Sequence, residues 1–223
     1  MAIILQKGQS IDLNKDTHDL SAITIGLGWD IKKEKSGGFL SRILGGTKNQ
    51  NFDMDTIAFI LDENGKVRNM GYDKDLGKGR VVKLFASDVV YFHNLKLMDG
   101  TVQHSGDNRT GEGAGDDEQI YVKLNALHQG YHKILFLVCI YQGVKLGHDF
   151  SKIENAFIRA VDAKGKEIVR YKLSGDPQFV GMHAMLFAEV VREPNGGWKF
   201  RALGEPRESD SFVDILQDYV YDV

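Results

Sequence analysis

The feature that most limits how this chain can fold is a series of short runs of β-branched and aromatic residues, separated by Gly, Asn and Asp. Such runs predict β-strands joined by turns. Nine runs fit the description: residues 22–29, 56–61, 89–92, 119–124, 134–141, 156–161, 167–173, 184–191 and 198–203. Their spacing predicts a mostly antiparallel all-β sandwich. Helical patterns are confined to short stretches at 125–129 and at 211–219, where Ser211 is a candidate cap and Asp214 lies in the first turn.

An internal similarity suggests duplication. AFILDENGKV (58–67) and AFIRAVDAKGKEI (156–168) both run from an apolar strand into Asp, two variable residues and Gly-Lys, 100 residues apart. We therefore expect two fused sandwich-like halves, at about 1–95 and 119–223, joined by the acidic loop 99–118 into one compact domain over 1–223. The alternative is that Asp-x-x-Gly-Lys is simply a common hairpin turn.

Composition excludes several classes of protein. Hydrophobic residues make up 42% of the 223 residues, which is typical of a globular protein with a real core. The net charge of −3 and the lack of a Lys/Arg-rich run argue against direct nucleic-acid binding. The single cysteine, Cys139, lies in an apolar run and is expected in the core.

The N-terminal sequence and the apolar runs bear on location. MAIILQKGQS lacks the charged and long apolar regions of a signal peptide. No apolar run approaches the ~20 residues that a membrane-spanning helix needs. We therefore expect a cytoplasmic protein without membrane insertion.

The segment GDNRTGEGAGDDE (106–118) carries five acidic residues and four glycines with one arginine. Its carboxylates repel one another unless a cation binds between them. Calcium takes six to eight oxygen ligands, and glycines let a loop turn its carbonyls inward. We therefore predict a calcium site for one or two ions. Its loop residues would be Asp107, Asn108, Gly111, Glu112, Gly113, Asp116, Asp117 and Glu118.

Three further aspartates are candidates for the same site. Asp30 ends the GLGWD strand, and FDMD places Asp53 and Asp55 at alternate positions, on one face of a strand. An EF-hand is excluded because Arg109 and Gly111 stand where that loop needs oxygen ligands. The alternative is a solvated acidic loop with unrelated aspartates at strand ends.

These motifs together resemble a known family, the TerD-type tellurium-resistance and stress proteins. The resemblance rests on GLGWD (26–30), FDMD (52–55), VVYFHNL (89–95), DGTVQHSGDNRTGEGAGDDEQI (99–120), ENAFIRAVD (154–162) and WKFRALG (198–204). It implies an all-β fold of two fused sandwiches and calcium binding through Asp30, Asp53, Asp55 and the loop acids. It also implies a role in stress response or tellurite resistance, with other proteins of that kind as partners.

The chain departs from the family pattern in three places. Residues 36–50 and 71–85 look longer than the usual loops, Met54 replaces the usual Leu, and the tail after Gly204 lacks a glycine-rich ending. None of these changes removes a carboxylate, so the cation prediction is unaffected, whereas the surfaces for partners are expected to differ from those of the family.

Catalysis is the less favoured interpretation. Ser105 lies in no nucleophile motif, and His128 and His132 lack the zinc-protease pattern. We therefore expect a binding protein and not an enzyme. Two alternatives stay open: a magnesium-dependent enzyme acting on phosphoesters or nucleotides, and a carbohydrate-binding module with structural calcium that uses Trp29, Tyr91, Phe92 and Trp198.

Overall fold

Two strongly apolar strands, β4 (Met54–Leu61) and β10 (Lys133–Ile140), pair antiparallel and are buried on both faces. Side chains alternate along a strand. Phe136 and Val138 therefore enter the main core between two sheets, whereas Leu135 and Leu137 enter a second core on the opposite face. This continuous burial explains why ILFLVCI is apolar throughout.

The structure is a computed structural model that describes residues 3–13, 18–19, 21–31, 53–107, 116–172 and 177–222. The other strands of this part of the chain are β1 (Ile3–Leu5), β2 (Ser10–Leu13), β3 (Ile23–Ile31), β5 (Tyr72–Asp75), β6 (Val81–Phe85), β7 (Val89–Val90), β8 (Val102–His104), β9 (Glu118–Val122), β11 (Ile153–Asp162), β12 (Glu167–Lys172), β13 (Ala184–Arg192) and β14 (Trp198–Arg207).

Two six-stranded sheets enclose the main core. The strand order is β1-β12-β11-β3-β9-β8 in the first sheet and β2-β14-β13-β10-β4-β7 in the second. All neighbours are antiparallel except β1 and β12. Strands β5 and β6 form a separate two-stranded ribbon.

Helices are few and short. They are α1 (Gly143–Leu146), α2 (Phe212–Leu216) and 3₁₀ turns at Leu124–Ala126, Phe150–Lys152, Pro177–Phe179 and Gln217–Tyr219. Helix α2 begins where the sequence predicts, since the Ser211 side chain accepts from the N–H of Asp214. Ile215 and Leu216 of this helix cover the second core. None of the helices in the described ranges is long and apolar enough to cross a membrane.

The all-β prediction is confirmed, with mostly antiparallel strands and few short helices. The two Asp-x-x-Gly-Lys segments form the same turn, in which the Asp carboxylate accepts from backbone N–H groups two and four residues later. Whether residues 1–95 and 119–223 are repeats stays a prediction, and each six-stranded sheet draws strands from both ranges. The long loop expected at 71–85 instead contains the two strands of the ribbon, β5 and β6.

Candidate metal centre

Three predicted ligands come together at the start of β4. One carboxylate oxygen from each of Asp53, Asp55 and Asp107 lies within 4.8 Å of the other two. Asp55 is buried, Asp53 is half-buried and Asp107 is exposed, so the group opens to solvent on one side. This spacing suits calcium, because two oxygens on opposite sides of a calcium ion lie about 4.6–5.2 Å apart.

Strand pairing fixes the first two aspartates. Asp55 lies opposite Cys139 of β10, and the carbonyl of Asp53 accepts from the N–H of Tyr141 at 2.8 Å. Alternate strand positions share a face, which is how Asp53 and Asp55 come to lie side by side. Three carboxylates at this distance repel by roughly 1 kcal/mol per pair in water and by more near a protein surface. A bound cation would remove that repulsion.

A buried carboxylate ties the acidic segment to β4. The Glu118 side chain is fully buried and accepts from the N–H of Thr56 at 2.7 Å and from its hydroxyl at 2.5 Å. The Nε2 atom of His104 lies 2.9 Å from the Thr56 hydroxyl and 3.4 Å from Glu118. The N–H of Gly106 donates to His104 Nδ1 at 2.9 Å, which leaves Nε2 as the protonated nitrogen.

This network holds both ends of the acidic segment at one point. Gly106 precedes Asp107 on the N-terminal side, and Glu118 begins β9 on the C-terminal side. Both connect to Thr56, the residue after Asp55, through side chains that are nine-tenths or more buried. The contacts therefore favour a clamping role for Glu118 over the ligand role that its sequence position suggested.

Two other loop acids also have structural contacts. Arg159 forms a bidentate ion pair with Asp116, at 2.7 and 3.0 Å, and Gln119 donates to the same carboxylate at 3.1 Å. Asp117 accepts from the backbone N–H of Trp29 at 2.9 Å. Both acids anchor the end of the segment to β3 and β11, and neither is one of the three grouped carboxylates.

Gly26 makes room for Asp116. A Cβ atom at position 26 would lie 2.2 Å from the Asp116 carboxyl carbon, far inside van der Waals contact. The first glycine of the GLGWD motif therefore permits the ion pair between Asp116 and Arg159 to lie against β3.

The remaining predicted ligands are only partly placed. Asp30 lies in β3 opposite Glu154 of β11. Asn108, Gly111, Glu112 and Gly113 lie outside the described residues, so their roles stay predictions.

Sequence reasoning missed the groups that support the site. His104 and Arg159 lie inside motifs that pointed to the family, and Thr56 directly follows the FDMD motif, but the contacts of all three depend on pairing between distant strands. His93 also lies nearby. Burial lowers the pKa of His93, the charge of Asp107 acts to raise that pKa, and the charge of Arg80 acts to lower it. His93 therefore lies within electrostatic reach of both the metal centre and the β5–β6 ribbon.

The geometry gives little support to the alternative functions. Trp29, Tyr91 and Trp198 are at most 3% exposed, so their rings cannot form a sugar-binding platform. His104 accepts from a backbone N–H and contacts Thr56, so it is not arranged to activate the neighbouring Ser105. Burial raises the pKa of the Cys139 thiol well above its ordinary value, as expected for a core residue.

Comparison with known proteins identifies a family. The model of the TerD domain matches residues 1–74 and 76–219. The tellurium resistance protein TerX of Serratia marcescens is 50% identical over 99% of this chain and 100% of its own length. The stress response protein SCP2 of Bacillus subtilis is 41% identical over 99% of this chain and 100% of its own.

Solved structures agree on the fold. A homologue of the telluride resistance protein TerD from Streptomyces coelicolor superimposes with a TM-score of 0.58 at 21% identity, covering 86% of this chain and 94% of its own. At that identity the likeness bears on the fold alone. The match of the domain model and of the relatives over nearly the whole chain shows that this protein belongs to the TerD family of tellurium-resistance and stress-response proteins.

Proposed function

We propose that this protein binds calcium at Asp53, Asp55 and Asp107 and acts in stress response or tellurium resistance by ion-dependent contact with other proteins of that response, not by catalysis. The observation that carries the proposal is the grouping of three carboxylate oxygens within 4.8 Å of one another. The names of the relatives support the physiological setting.

Charge and coordination favour calcium as the ion. Carboxylate oxygens are hard ligands, and three of them overcompensate one divalent cation. Calcium needs further oxygens, which backbone carbonyls, water or the 108–115 segment would supply. Magnesium binds at 2.0–2.1 Å in a strict octahedron and usually keeps several waters, whereas calcium accepts a larger and more variable set of protein oxygens.

Calcium titration by calorimetry tests the proposal. We expect the protein, freed of metal by a chelator, to bind calcium more tightly than magnesium. The variant Asp107→Asn should weaken calcium binding by about tenfold or more, because it removes one charged ligand. Asp107 is exposed, so this variant should fold normally. Asp218→Asn is the matched control, since it makes the same chemical change at an exposed residue beside the 62–66 turn, at the other end of β4.

Two results would count against the proposal. One is the absence of binding heat with the chelated wild-type protein. The other is equal affinity in Asp107→Asn and wild type. A turnover screen with magnesium on nucleotides and phosphoesters covers the enzyme alternative, and activity lost with Asp107→Asn would replace this proposal.

A further inference from the structure

Strand β5 and the turn after it form a fully exposed part of the β5–β6 ribbon. Residues 71–81 are all exposed, and the two strands pair only with each other. The base of the ribbon is fixed, because the Tyr91 hydroxyl donates to the carbonyl of Lys83 and Leu84 packs on the second core. The tip at 76–80 has no such support. The ribbon is therefore an anchored projection.

The ribbon combines apolar and basic side chains in solvent. Tyr72, Leu76 and Val81 are 57%, 50% and 49% exposed. The same stretch, 72–85, has four basic residues and two acidic ones. One acid, Asp73, forms an ion pair with Lys83 at 2.6 Å, and the other, Asp75, accepts from the N–H of Gly77. The basic side chains of Lys78 and Arg80 at the tip have no carboxylate partner among the described residues.

The backbone at the tip also presents unused donors. Gly77, Lys78 and Gly79 all have positive φ, at +79°, +55° and +73°, a conformation that lysine rarely adopts. Arg80 donates to the carbonyl of Gly77, but the N–H groups of Lys78 and Gly79 donate to no described residue. These two N–H groups, next to two cationic side chains, are available to donate to an anionic oxygen.

We infer that the tip of the β5–β6 ribbon docks peripherally on an anionic lipid surface, with Leu76 and Val81 in the interface and Lys78 and Arg80 on lipid phosphates. Basic residues near an anionic membrane attract it by about 1 kcal/mol each, and apolar side chains add burial in the headgroup region. A nucleic acid would account for the basic residues but gives no reason for exposed Leu76 and Val81, and an acidic protein is the competing occupant that the test below separates from lipid. The inference goes beyond the proposed function and does not require calcium.

Co-sedimentation with vesicles tests the inference on the full chain. We expect binding to phosphatidylcholine vesicles that contain phosphatidylserine and no binding to phosphatidylcholine alone. The variant Lys78→Glu with Arg80→Glu should bind about thirtyfold or more weakly, from two contributions of about 1 kcal/mol. Lys96→Glu with Lys123→Glu is the matched control, because it changes the net charge equally at exposed residues outside the ribbon.

A fluorescence reporter tests insertion separately. Both native tryptophans are buried, so Leu76→Trp places one exposed indole at the tip. Its emission should shift to the blue on anionic vesicles and stay unchanged on neutral ones. An unchanged emission on both would overturn the insertion of Leu76.

Other outcomes would also overturn the inference. One is the absence of vesicle binding both with calcium and with chelator. Another is an equal loss of vesicle affinity in the ribbon variant and the control variant. A third is binding to an acidic peptide or to duplex DNA that depends on the ribbon, without binding to vesicles. Each assay is run with calcium and with chelator, so that any dependence of vesicle binding on the candidate calcium site is seen. If the protein binds vesicles but does not bind calcium, the proposed function is contradicted and this inference is supported.

Discussion

At the scale of single residues, the space beside Gly26 controls how the acidic segment ends. The Asp116 carboxylate fills the place that a side chain at position 26 would occupy, and Arg159 holds it there. The sequence marked GLGWD as a strand that ends in a candidate ligand. It did not predict that Gly26 leaves space for the carboxylate of Asp116, 90 residues later, because that contact depends on the pairing of β3 with β9.

We expect Gly26→Ala to lower the free energy of unfolding by about 2 kcal/mol, because the new methyl group overlaps the Asp116 carboxylate. Chemical denaturation measures this loss. In an Asp116→Ala background the same substitution should cost much less, since the obstructing group is gone, and the double-mutant cycle should give a coupling of about 1 kcal/mol or more. Equal costs in the two backgrounds would show that Gly26 is needed for another reason.

At the scale of elements, the twin Asp-x-x-Gly-Lys turns show what local sequence predicts well. Both turns use one Asp oxygen for two backbone N–H groups and a glycine with positive φ. The second oxygen differs between them: Asp62 accepts from the hydroxyl of Tyr221, and Asp162 accepts from the N–H of Asp19 at 3.4 Å. The turns follow from residues close in sequence, whereas their ties to the chain ends do not.

The Asp162 turn should contribute to stability in a pH-dependent way. Burial alone would raise the pKa of the Asp162 carboxyl, but hydrogen bonds from the N–H groups of Lys166 and Lys164 hold that pKa below its ordinary value. A lowered pKa in the folded state stabilises the protein above the unfolded value of about 3.9, and this contribution is lost as pH falls through the folded value.

Asp162→Asn should therefore destabilise the protein most at neutral pH, and its difference from wild type should shrink below about pH 4. Melting temperatures across the acid range measure this difference. The exposed residue Asp222 provides the control variant Asp222→Asn, for which little change is expected. A difference that stays constant down to low pH would show that the charge of Asp162 does not stabilise the turn.

The β5–β6 ribbon shows where local prediction fails. Strand β5 is exposed on both faces and lacks apolar alternation, and the Gly, Lys and Asp content of residues 73–80 is typical of a loop, so β5 was not predicted. Nine of the twelve strands in the two large sheets were predicted from their apolar runs, whereas the short strands β1, β2 and β8 were missed. The order of the strands within the sheets was not predicted, because neighbours such as β3 and β11 are far apart in sequence.

At the scale of the whole molecule, the candidate metal centre lies where the second core, the sandwich and the acidic segment meet. Asp53 and Asp55 begin the strand whose later residues Ile57 and Phe59 fill the second core. Thr56, which follows Asp55 and points to the other face, connects to the opposite sheet through Glu118. Residue type and spacing predicted Asp53, Asp55 and Asp107 as candidate ligands. They did not predict the buried contacts among Thr56, His104 and Glu118 that support them.

The central claim is that Asp53, Asp55 and Asp107 hold one calcium ion, and an anomalous difference map from crystals grown with calcium tests it most directly. We predict one strong peak, with an oxygen of each of the three carboxylates at about 2.3–2.6 Å. A well-ordered map with no peak between these residues, or with calcium bound only by other groups, would contradict the account.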